Sequence, residues 1–100
     1  MLIAIVEFQV AAKDHTAAFS VLLGETPTVR ALPGCQNFRA FPDPNNLEQI
    51  CILHEWDSEA EFSKYLNSPG FAKADALLRP IMTRAPTSRR FNAKIIETAP

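Results

Sequence analysis

The chain has only two cysteines, two histidines, three glycines, one tryptophan and one tyrosine in its 100 residues. Cys35 and Cys51 have neither the density of a secreted disulfide scaffold nor the spacing of a metal knuckle, and are expected as buried free thiols. His15 and His54 stand alone, and with no His-x-His or Cys-x-x-Cys grouping the sequence offers no metal site. Neither sign of charge is in excess, since 10 Lys plus Arg against 11 Asp plus Glu leave a net charge of -1. Such a surface has no field to draw in nucleic acid or an anionic membrane. The apolar start, Met1 to Val6, is too short for a membrane span and has no basic leader, so it reads as the first strand of a soluble, cytoplasmic protein.

What is present is apolar content. Hydrophobic residues make up 47% of the chain, enough for a core in one domain over residues 1–100, with its centre over about 2–97. At this length the surface-to-volume ratio is poor, and partners are expected to supply part of the burial. Leu2 to Ala11 is rich in Ile, Val and Phe and reads as a strand. Asp14 is the expected N-cap of a helix carrying His15, Phe19 and Leu22 or Leu23 as its inward stripe, with Gly24 and Pro27 ending or kinking it. Pro33-Gly34 is a turn that launches a second strand over Cys35 to Phe41, and Pro42 to Asn46 is the turn before a third strand over Leu47 to Trp56. Ser58 to Glu61 is a capping box, and Ser68-Pro69 repeats the start signal, so the second helix is split, with its later piece running to Leu78. Pro80 stops it, and Arg89 to Glu97 is the fourth strand.

The order β-α-β-β-α-β specifies a ferredoxin-like α+β sandwich: a four-stranded antiparallel sheet with helices on one face and strands one and three at its centre. Those two strands are apolar on both faces, Leu2, Ala4, Val6 and Phe8 against Ile3 and Ile5, and Ile50 and Ile52 against Cys51 and Leu53. Two helices cover only one face, which leaves an apolar sheet surface too large for a comfortable monomer. A homodimer with its sheets packed face to face is therefore expected.

Chemistry-bearing residues gather in Ile50 to Phe71. Period-two geometry puts Ile50, Ile52, His54 and Trp56 on one strand face, so an imidazole and a large flat ring share a hydrocarbon surface. Tyr65 shares the inner stripe of the following helix with Phe62 and Leu66, and Glu7 interrupts an otherwise apolar face of strand one.

Pro33-Gly34-Cys35, Glu55-x-Asp57-Ser58 around Trp56, and Tyr65-Leu66-x-Ser68-Pro69-x-Phe71 resemble the antibiotic biosynthesis monooxygenase family, in order and over nearly the whole chain. The resemblance implies a small ferredoxin-like dimer acting on a phenol, a hydroquinone or a polyketide-like aromatic, with dioxygen as co-substrate and no prosthetic group. Oxygenation without a cofactor needs a base of near-neutral pKa to ionise the substrate, donors for the developing oxyanion and a dry apolar cavity. In that chemistry His54 is the candidate base, Tyr65 a hydrogen-bond donor, Trp56 the platform on which the ring stacks, and Phe62 and Glu7 further substrate contacts. Arg39, Arg84 and Arg90 are anion stabilisers whose placement the sequence leaves open. The haem-degrading branch pairs an Asn on strand one with a His in the helix after strand three, and neither is present here. Two other readings stay open: a non-catalytic ligand-binding dimer, and an isomerase or cyclase on related substrates.

Overall fold

Alternating apolar residues build the first strand, β1 (Leu2–Gln9), in the computed structural model, which describes residues 1–100. A single 3-10 turn over Ala12–Asp14 leads into α1 (His15–Arg30). There follow β2 (Cys35–Asp43), β3 (Asn46–Trp56), α2 (Glu59–Leu66), α3 (Pro69–Leu78), a 3-10 turn over Arg79–Ile81, and β4 (Thr87–Asn92). The strands pair antiparallel in the order β2-β3-β1-β4, with β3 and β1 central, which is the ferredoxin-like arrangement. No helix is long and apolar enough to cross a membrane.

The helices lie on one face of the sheet. Beneath them sit two patches of core: Leu2, Ala4, Val29, Phe38, Trp56, Phe62 and Tyr65 at one end, and Phe8, Val10, Ala18, Leu22, Ile50 and Leu78 at the other. The alternate residues of each strand face away from the helices, where Ile5 pairs with Leu53 and Ile3 with Phe91.

Several joints are fixed by local chemistry. Gly34 has a φ of +82°, and a Cβ on it would lie 2.7 Å from the Cβ of Glu61. Only glycine fits this turn, and its carbonyl accepts from the Asp57 amide at 2.8 Å, tying the start of β2 to the end of β3. Ser58 caps α2 by accepting from the Glu61 amide at 3.4 Å. Pro42 lies inside β2, tolerated because β2 is an edge strand whose outer amides need no partner.

The structure corrects some local expectations. Asp14 precedes α1 but makes no capping hydrogen bond, because the preceding 3-10 turn holds it in a helical backbone conformation. Helix α1 continues through Gly24 and Pro27. Its last turn is held by tertiary contacts: Val29 is buried in the core, and Arg30 Nε donates to the Phe38 carbonyl at 3.1 Å. The inward stripe is Ala18, Leu22 and Val29, while Leu23 points to solvent. Strand β4 ends at Asn92, opposite Leu2; the Ala93 amide still donates to the Met1 carbonyl at 2.8 Å, and residues 93–100 form no regular element. Cys35 and Cys51 are free but only half-buried.

Candidate functional site

The covered sheet face runs in rows across all four strands. One row is Phe38, His54, Ala4 and Arg90, and the next is Ala40, Ile52, Val6 and Ser88. Small or short residues in that second row leave space between the two core patches. The space is a mainly apolar cavity of about 180 Å³, floored by Val6, Ile52 and Ser88, roofed by Phe62, Tyr65 and Phe71, and bordered by the partly exposed Asp75 and Arg79. Ser68 sets the joint between α2 and α3. Its hydroxyl donates to the Tyr65 carbonyl at 2.7 Å and accepts from the Phe71 amide at 3.2 Å, which holds the two rings edge to face at 5.4 Å.

His54 is 3% exposed and ringed by Phe62, Phe38 and Tyr65, with centroids at 5.4, 5.5 and 5.8 Å. Its Nδ1 accepts from the indole Nε1 of Trp56 at 2.9 Å, and its Nε2 is buried without a partner. Burial, and then the Arg90 guanidinium, push the imidazole pKa down to about 4. It is therefore neutral at neutral pH but only a weak proton acceptor, and that low basicity suits the expected role of base poorly. Tyr65 stacks on Trp56 at 5.2 Å. Its phenol is pushed up to about 12, chiefly by burial and then by Glu25 and Cys35, so it keeps its proton.

The sequence-derived set divides. His54, Tyr65 and Phe62 meet at the cavity. Trp56 is fully buried beside His54 and is not on the cavity wall, so the stacking platform expected of it is not available to a ligand. Glu7 lies on the opposite sheet face, because odd-numbered residues of β1 point away from the helices. There it accepts from Gln49 Nε2 at 2.8 Å, with Arg89 at 3.9 Å, and borders a separate polar hollow with Arg84 and Thr87. Arg39 is also on that open face, opposite Leu53. Of the three arginines expected as anion stabilisers, Arg90 is the one that lines the cavity, its guanidinium 4.9 Å from the Phe62 ring centre. His15 packs on Phe19 at 4.9 Å and does not border the cavity. The Cys35 and Cys51 thiols are shifted upward by burial, away from the reactive thiolate. No three His, Cys, Asp or Glu side chains cluster as a metal-binding group.

Two features of the site were not anticipated. Phe38 walls the cavity and was readable only once its pairing with His54 was known. Asp75 and Arg79, four residues apart on a helix, form a 3.1 Å ion pair at the rim, and that spacing was a signal available in the sequence.

The fold has close counterparts among solved structures. A candidate antibiotic biosynthesis monooxygenase from Deinococcus radiodurans superposes with a TM-score of 0.90 at 18% identity, over 99% of this chain and 98% of that one. Rv0793 from Mycobacterium tuberculosis gives 0.87 at 16% identity, over 98% of each chain. A conserved protein from Methanosarcina mazei Go1 gives 0.87 at 18% identity, over 94% of each. At these identities the likeness establishes the fold alone. No curated protein matches the sequence. The family model for antibiotic biosynthesis monooxygenase matches residues 1–77. With that match over most of its length, the chain belongs to the antibiotic biosynthesis monooxygenase family.

Proposed function

We propose that the protein is a cofactor-independent monooxygenase of a small phenol or hydroquinone. The observation that carries this reading is the cavity itself, about 180 Å³, walled by aromatic and aliphatic side chains, with the buried His54 and Tyr65 and the more exposed Arg90 on its wall. An engineered apolar cavity of roughly 150 Å³ accepts benzene, so this space suits one substituted ring better than a fused polycyclic substrate. With a hydroquinone the balance is simple. Its anion gives an electron to dioxygen, the two radicals join in a carbon–oxygen bond, and the hydroperoxide loses water to leave a hydroxyquinone. No prosthetic group is needed, and the protein's part is to hold the ring, stabilise its oxyanion and exclude water.

The reading also includes a homodimer joined through the open sheet faces, and a cytoplasmic setting. Ile3, Ile5, Leu53, Phe41 and Phe91 support the dimer, since they form an apolar surface that the helices leave uncovered. A non-catalytic ligand-binding dimer is the second reading, favoured by the low basicity of His54. Oxygen consumption by the metal-free protein, measured on single-ring hydroquinones and on tricyclic anthrone-like phenols, separates the two. Uptake above autoxidation on the single-ring panel supports the oxygenase. Quenching of Trp56 fluorescence without uptake supports the binding protein.

A further inference from the structure

A neutral imidazole has one N–H and one lone pair, and an indole nitrogen can only donate. The 2.9 Å contact from Trp56 Nε1 to His54 Nδ1 therefore uses the lone pair and leaves the hydrogen on Nε2. That Nε2–H is buried without a protein partner, on a ring that lines the cavity. An unsatisfied buried donor is costly, and because His54, unlike the similarly unpartnered His15, lines the cavity, an acceptor bound there would satisfy it.

The surrounding groups agree in sign. Tyr65 from α2 keeps its phenolic hydrogen, and Arg90 from β4 is cationic and makes no ion pair. Glu25 of α1 and Cys35 of β2 act on Tyr65 and not on His54. The one carboxylate on the cavity wall, Asp75, is held by Arg79 at 3.1 Å. Beside His54 the wall thus offers the Nε2–H and the Arg90 guanidinium and no free base.

We infer that Trp56 is a positioning residue that locks His54 as a hydrogen-bond donor, and that the inner wall is a subsite for the oxygen of a single-ring phenol bound as its phenolate. This rests on the aromatic-ligand reading above and replaces deprotonation by the protein with capture of a ligand that is already ionised.

Two measurements test it, and neither requires turnover. In 15N-labelled protein, with His15→Gln leaving His54 as the single histidine, long-range nitrogen–proton correlation reports the tautomer directly. The expected result at pH 7 is neutral His54 with hydrogen on Nε2, and mixed tautomers after Trp56→Phe. Hydrogen on Nδ1, or an imidazolium, in the protein that retains Trp56 overturns the lock. The second measurement is titration with 4-nitrophenol above and below its own ionisation, followed by visible absorbance and Trp fluorescence. Phenolate is expected to bind roughly tenfold tighter than the neutral phenol. Equal or tighter binding of the neutral form overturns the subsite. If Trp56→Phe does not fold, the tautomer with Trp56 in place and the titration decide the matter. A protein that passes both tests yet consumes no oxygen keeps the subsite and loses the oxygenase reading, whereas oxygen uptake without phenolate preference does the reverse.

Discussion

The indole N–H of Trp56 meets Nδ1 of His54 at 2.9 Å, across two residues of one strand. Period-two geometry puts both side chains on the same face, and α2, starting at Glu59, folds back to seal the Trp beneath Tyr65 and Phe62. The pair is thus a structural unit, and its consequence is the hydrogen left on the far nitrogen of the imidazole.

The same burial makes stability depend on pH. The His54 pKa falls from 6.5 to about 4 on folding, so between these values the unfolded chain binds more protons than the native one. Stability from this group is complete above the unfolded value and is lost as pH falls from 6.5 towards 4, amounting to about 2 kcal/mol by pH 5. Urea unfolding at pH 8 and pH 5 should show this loss in the wild type and a smaller one in His54→Gln. Equal pH dependence in the two proteins would remove His54 as its source.

Gly34→Ala should destabilise by about 2 kcal/mol, because a side chain there meets both the left-handed backbone and the Glu61 stem. Pairing it with Glu61→Gly relieves the clash but not the φ, so the double variant should recover only part of the loss. Full recovery in urea unfolding would assign the whole effect to the contact.

Leu53→Arg tests the open face. Leu53 sits between Ile5 and Arg39 in the sheet register and points away from the cavity, so the change should leave the fold intact. Light scattering is expected to give the wild type twice the 11.1 kDa chain mass and the variant a single chain mass. A wild type already at one chain mass at micromolar concentration would refute the sheet-to-sheet dimer.

The fold was legible in the sequence because its signals were local and mutually consistent. Pro33-Gly34 marks the turn before β2, Ser58 and Ser68 mark the starts of α2 and α3, and both-sided apolar strands mark the sheet centre. Pro27 misled because its cost to α1 is set against packing by Val29 and Arg30 that no local window contains. In the site, strand parity placed His54 on the covered face. It gave the same parity to Trp56, and only the helix above decides which of the two borders a cavity. Arg90 could not be distinguished from Arg39 and Arg84 until the pairing of Arg90 with Ala4 set the register of the edge strand.

The most direct measurement is the pH dependence of kcat/KM for oxygen uptake with two single-ring hydroquinones that differ in acidity. With His54 as a donor and no base on the protein, the rising limb should follow each substrate's own ionisation and move when the substrate is changed. His54→Leu should lower the whole profile without displacing that limb. A limb that stays at one pH for both substrates and disappears in His54→Leu would make His54 the base and contradict the reading.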